Sequence, residues 1–190
     1  MESWAKIKWT EACQITDLME LDDAEAPDPG VTPQDYYLAT RGREDLETAL
    51  LFLGQALPRY EGAAWAALQL EEMAGQADLK RPDRQALDLS LRWVGDPSEE
   101  HRRAAFTAYE TAGEGSPERL LALAVYMTGG SLAPADLPPV LPDPMLSGRL
   151  AACALLVAAH RSGDPRAVLL RSLELGEQVA ARGLEALPVR

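Results

Sequence analysis

The chain has 190 residues, 47% of them hydrophobic, and a formal net charge of −12. That length suits a single domain that buries about 70% of the surface its unfolded chain exposes, while the acidity excludes nucleic acid as a natural partner, since phosphates must be met by Lys and Arg. Ala and Leu dominate over Val and Ile, which leaves strands poorly supplied, and the longest uncharged apolar run, Leu150 to Ala159, is too short to cross a bilayer.

The acid is concentrated at the start: residues 1–35 hold nine Asp or Glu against two Lys. This region reads as an N-terminal arm, residues 1–31, packing on a single helical domain, residues 32–190. Thr10 is placed to cap a short helix holding Ala12, Cys13, Ile15 and Leu18. The acidic stretch from Glu20 to Gly30 ends in Pro27-Asp28-Pro29-Gly30 and reads as a linker or wrapped loop. Met1-Glu2-Ser3-Trp4-Ala5-Lys6 lacks the apolar run of a secretory leader, so the cytoplasm is the expected compartment. Trp4, Ile7, Trp9 and the pair Tyr36-Tyr37 are aromatic and apolar anchors of the kind that interfaces use. They either meet a partner or pin the arm to the core.

Five capping residues are followed directly by proline: Thr32-Pro33, Asp96-Pro97, Ser116-Pro117, Asp143-Pro144 and Asp164-Pro165. In each pair the first side chain accepts from a free N–H of a first helical turn, and the proline brings a helical φ with no N–H to leave unpaired. Five helix starts are therefore expected. Thr32-Pro33 opens a short helix with Tyr36, Tyr37 and Leu38. Glu44 to Leu57 repeats Leu46, Ala49, Leu50, Leu53 and Leu57 at helical spacing and stops at Pro58. Tyr60 to Ala74 and Pro82 to Val94 follow, the second with Leu87, Leu91 and Val94 on one face. Asp96-Pro97 is expected to open Ser98 to Ala112. Ser116-Pro117 opens Glu118 to Met127, and Asp143-Pro144 opens Met145 to His160. Both are apolar nearly all round and belong at the centre of a bundle. Asp164-Pro165 opens the last helix, to about Arg182. The expected fold is all-α, a compact bundle of about seven or eight helices with a long proline-rich connection before the last two.

Chemistry leaves few traces. Cys13 and Cys153 are too few and too far apart for a disulfide framework. Cys153 and His160 share a helical face, but two ligands do not hold a structural zinc. Ser131 follows Gly129-Gly130 without a preceding strand or a Gly-x-Ser-x-Gly pattern. Adjacent acids such as Glu71-Glu72 and Glu99-Glu100 diverge by about 100° around a helix, which makes them solvated faces rather than catalytic pairs. No catalytic residue, cofactor or metal is expected, and the chain reads as no enzyme.

The connection from Gly129 to Asp143 contains Pro134, Pro138, Pro139 and Pro142, which exclude helix. It presents Leu132, Leu137, Val140 and Leu141 at reduced ordering cost as a partner surface. Alternatively it is a strap whose apolar side chains plug its own bundle.

Trp93-Val94-Gly95-Asp96-Pro97-Ser98-Glu99-Glu100-His101-Arg102-Arg103-Ala104-Ala105, followed by Tyr126-Met127-Thr128-Gly129-Gly130-Ser131-Leu132-Ala133-Pro134, resembles an uncharacterised family of bacterial helical proteins classed as a domain of unknown function. Ala56-Leu57-Pro58 and Trp65 upstream fit the same likeness, which runs from about Trp9 to Gly183. The resemblance implies an accessory protein encoded among type VI secretion genes. The expected function is then a non-enzymatic cytoplasmic interaction protein, an adaptor or chaperone for a secretion effector or its carrier, with a protein partner and no nucleic acid or membrane. The alternative is an immunity protein, since an acidic surface also suits masking a basic toxin.

Overall fold

A computed structural model describes residues 2–19, 26–75, 78–134 and 136–187. Within them lie nine α-helices and no strand: α1 (Cys13–Met19), α2 (Pro33–Gly42), α3 (Leu46–Ala56), α4 (Arg59–Ala74), α5 (Arg81–Gly95), α6 (Glu99–Thr111), α7 (Pro117–Tyr126), α8 (Leu146–Arg161) and α9 (Pro165–Arg182), with a closing 3₁₀ turn at Gly183–Ala186. The all-α bundle stands as expected, with nine helices rather than seven or eight because the two short N-terminal segments are complete elements.

Three of the five proline-marked starts form as expected. Thr32 Oγ1 accepts from Asp35 N at 3.1 Å, Ser116 Oγ from Arg119 N at 3.2 Å and Asp164 Oδ1 from Ala167 N at 3.0 Å. The other two differ. Asp96 closes α5, its N–H donating to Arg92 O, and Ser98 caps α6 by accepting from His101 N at 3.3 Å. Asp143 holds an entry turn, its Oδ1 accepting from Met145 N at 2.9 Å, and regular α-helix starts at Leu146. Thr10 is no cap either: Gln14 reaches back, its Oε1 accepting from Thr10 N at 2.9 Å and Glu11 N at 3.1 Å.

The two nearly all-apolar helices, α7 and α8, pack on each other. Around them α7 meets α4, α5 and α6, and α8 meets α3, α4 and α9. Trp65, Phe52, Leu50, Leu53, Leu121, Leu155 and Leu173 are fully buried. Trp65 satisfies its indole by donating from Nε1 to Ser172 O at 2.9 Å, which ties α4 to α9. The N-terminal arm joins this core. Trp4 is buried against Tyr37 with ring centroids 4.9 Å apart, Lys6 N donates to Ala180 O at 3.0 Å, and Ile15 is fully buried.

Helices α3 and α8 touch through their backbones. A Cβ on Gly54 would stand 2.7 Å from Ala152 Cβ and 2.8 Å from Gly148 O, and a Cβ on Gly148 would overlap the carbonyl of Gly54. Neither neighbour can move without separating the helices. Gly148→Ala should therefore lower stability by about 1–3 kcal/mol of overpacking strain, which exceeds the gain of about 1 kcal/mol from alanine's helix propensity. Gly42, with open space at its Cβ position, is the control: Gly42→Ala should leave the melting temperature unchanged or raised. Thermal unfolding followed by circular dichroism separates the two, with a fall of several degrees expected for Gly148→Ala alone.

Candidate interaction surface

Among the described residues the exposed large hydrophobics are Leu137 (55% exposed), Val140 (55%), Leu141 (74%) and Leu184 (42%). Three of these four fall within five positions of the connection between α7 and α8. Large apolar side chains left in water this close together in the chain are unfavourable unless something covers them. The connection does not plug the bundle with its leucines. Leu132 is half-buried, and the residue that goes fully inside is Pro142.

The apolar tip is held by its own base. Leu132 N donates to Val140 O at 2.7 Å, which closes residues 132–140 into a loop. Ser131 Oγ accepts from Ala133 N at 3.1 Å and from Val140 N at 3.2 Å, clasping both strands of that base. Leu137 N donates to Pro134 O at 3.1 Å at the outer turn. The prolines restrict most of what remains.

Two arginines of α6 fasten this loop to the bundle. The buried Arg102 donates from Nη1 to Tyr126 O at 2.6 Å and from Nη2 to Ser131 O at 2.8 Å. Its Nε and Nη2 also donate to the two carboxylate oxygens of Glu99 at 2.7 and 2.8 Å, a bidentate fork. The guanidinium lies 4.5 Å from the centre of the Tyr126 ring, which stacks on Phe106 at 4.2 Å. Arg103 donates from Nη2 to Ser131 O and to Ala133 O, both at 3.0 Å, and from Nε to Glu99 Oε1 at 2.6 Å. Tyr126 Oη donates to Leu132 O at 3.0 Å. The Arg102 hydrogen bonds, with Arg103 beside them, hold the Glu99 carboxyl below the usual carboxylate range.

Gly130 makes the approach possible. Its φ is +70°, and a Cβ there would stand 2.8 Å from Arg102 Nη2 and 2.9 Å from Glu99 Oε2. The Gly129-Gly130 pair is thus a helix end that also clears space for a guanidinium.

The sequence-predicted surface residues divide. Leu137, Val140 and Leu141 stand in water on the connection, with Leu132 at its base. Trp4, Tyr36 and Tyr37 are buried in the core and Trp9 packs against it, so they anchor the arm and α2. Tyr36 packs against Phe52 with tilted rings 4.9 Å apart, and Tyr37 Oη donates to Glu177 Oε1 at 2.7 Å. Arg102 and Arg103 were not singled out from sequence. Their signal was Glu99 at three and four residues' remove on a helix face. His160 Nε2 lies 2.8 Å from Glu47 Oε1. Among the described residues no group of three or more His, Cys, Asp or Glu is placed to share a metal ion, and no helix is long and apolar enough to cross a membrane.

Residues 36–180 match the model of the family of unknown function DUF6931, and the chain belongs to that family. The matched stretch runs from within α2 to near the end of α9 and holds the whole connection. No curated protein and no solved structure matches the chain.

Removing the buried guanidinium would take from Tyr126 O its side-chain donor and leave Ser131 O and Glu99 to Arg103 alone. Arg102→Met should lower stability by about 1–3 kcal/mol, the range for leaving a buried acceptor without its donor, since Glu99 is half exposed and keeps Arg103. It should also expose residues 129–142 to proteolysis before the bundle unfolds, as limited digestion with mass spectrometry would read. The Glu99 contribution has a definite sign. Because its folded pKa is depressed, its stabilisation is present above the ordinary carboxylate value of about 4.3 and is lost as pH falls through the lower folded value. Melting temperature measured against pH should fall more steeply in that window for the native chain than for Glu99→Gln.

Proposed function

We propose that this DUF6931 member is a non-enzymatic interaction protein whose recognition element is the connection bearing Leu137, Val140 and Leu141. One observation carries the reading: among the described residues, three of the four exposed large apolar side chains lie on a short loop that is hydrogen-bonded across its base and held by two arginines. A loop fixed in advance loses little conformational entropy when a partner covers it. Apolar side chains gathered at one point supply a docking centre. The net charge of −12 favours a partner with a basic rim around an apolar pocket.

The partner we propose is a type VI secretion effector or its carrier, with this chain as adaptor or chaperone before loading. Support for that assignment comes from the family resemblance carried by the Gly129–Pro134 stretch and the motif at Trp93–Ala105. A pocket on the partner that accepts Leu141 and Val140 would account for their solvent exposure in the free chain.

Changing the tip without touching its base tests this. Leu137→Ser, Val140→Ser and Leu141→Ser should each keep the melting temperature within about 2 °C, because an exposed side chain contributes little to folding. The triple variant should lose capture of secretion components from native cells. Capture undiminished in the triple variant would remove the connection from the interface, and native-chain pull-downs containing no effector or carrier would remove the adaptor role.

A further inference from the structure

At the first turn of α7, the end opposite the connection, a cleft of about 690 Å³ opens between α4, α5, the end of α8 and the start of α9. Part of its lining is apolar, from Leu70, Met73 and Val168. The polar part is unusual for an interior. Glu118 is only 4% exposed and Asp83 is also buried, and neither makes a salt bridge among the described residues. Asp83 Oδ1 accepts from Gly113 N at 2.7 Å, which ties the α6–α7 turn to α5. Gln69, 2% exposed, lines the same cleft, and its Oε1 has no hydrogen-bond donor.

Each of these costs free energy. Burying two carboxylates is unfavourable even with Arg161 in electrostatic reach of Glu118, and a buried amide oxygen without a donor forfeits about 1–3 kcal/mol. The first turns of α5 and α7 offset part of the charge, since both carboxylates sit at positive helix ends. Burial nevertheless pushes the Glu118 carboxyl up and the charge of Asp83 adds to that shift, against the opposing pull of Glu118's own backbone N–H and of Arg161. The helix ends explain why acids stand here. They do not explain the unpaired oxygen of Gln69 or the open volume beside it.

We infer that this cleft binds the ammonium or guanidinium end of an amphipathic organic cation, with Asp83, Glu118 and Gln69 Oε1 as its acceptors. An ammonium brings three N–H donors and a guanidinium five, and neither accepts. Such a head satisfies two carboxylates and an amide oxygen together. An aliphatic stem then lies along Leu70, Met73 and Val168. Lys80, Arg161 and Arg171 also border the opening, where Arg171 pairs with Glu72 of the same rim at 3.7 Å. The same chemistry arises from a free amine or from a Lys or Arg side chain of a protein. This site shares no residue with the connection, so the two readings fail separately.

Calorimetric titration of the full chain with agmatine, and in parallel with an acetylated, amidated Lys-Ala-Arg peptide, tests the inference. Saturable binding of either is expected. Agmatine binding more tightly assigns a free amine, and the peptide binding more tightly assigns a protein side chain. Asp83→Asn combined with Glu118→Gln should weaken binding by at least about tenfold. Gln69→Leu provides a second variant that removes the orphan oxygen, and it should weaken binding while leaving the melting temperature unchanged or raised. The Gly113 amide resonance, which reports on Asp83, should shift on titration. No saturable binding of either cation, equal binding of glutarate, or affinity unchanged in both variants would overturn the inference.

Discussion

A guanidinium taken out of water decides the form of everything between α7 and α8. Arg102 spends its donors on Tyr126 O, Ser131 O and both oxygens of Glu99, and its face on the Tyr126 ring. Those partners come from α6, the end of α7 and the start of the connection. No apolar side chain could replace it without leaving the buried Tyr126 carbonyl short of its donor and the connection held by Arg103 alone. The flexible alternative, lysine, offers three donors from one point and cannot span the same set. The connection is thus irregular in backbone yet fixed in place, which is what separates it from an ordinary surface loop.

That fixity gives the exposed leucines their meaning. On a mobile loop, Leu137, Val140 and Leu141 would collapse against the nearest apolar surface and be counted as partly buried. Here the hydrogen bond from Leu132 N to Val140 O, the Ser131 clasp and the prolines hold them off the bundle. Pro142 is the buried residue of this stretch. The energy released when these side chains leave water is therefore available to a second molecule, at about 25 cal/mol per Å² of apolar surface.

Helix content was legible because it rests on local chemistry. Ser116-Pro117 and Asp164-Pro165 start helices since the capping side chain and the fixed φ act within four residues. Asp96-Pro97 misleads for an equally local reason: Ser98 stands two residues later with the same capping ability, and Asp96 is drawn into closing α5. The Leu and Ala runs of α7 and α8 placed them at the centre correctly, since helices apolar all round have no solvent face to offer. The connection's lack of helix followed from its prolines. Its orientation did not, because whether Leu141 points in or out depends on Arg102 and Arg103, about thirty to forty positions away. The aromatic arm was ambiguous for the same cause. Trp4 and Tyr37 are thirty-three positions apart, and only their contact at 4.9 Å shows that they serve the core. The cleft left no trace at all, since Gln69, Asp83 and Glu118 come from three helices and none stands in a motif.

The cleft and the connection sit at the two ends of one short rod. Helix α7 has ten residues, about 15 Å at the usual rise. Its first turn holds Glu118 beside the cleft and its last residue, Tyr126, takes the Arg102 bond. Coupling between such sites requires an element with two arrangements that both ends bias. Helix α7 is poorly suited to that. Its proline stands at the first position, it has no internal glycine, and Leu121, Ala122, Ala124 and Val125 are fully enclosed by α4, α5, α6 and α8. A close-packed rod of this kind transmits displacement only by moving its neighbours as well. Occupation of the cleft should then stabilise the bundle by mass action while leaving the apolar tip where it is. The two surfaces are energetically linked through folding and geometrically independent, so evidence for or against one carries no weight for the other.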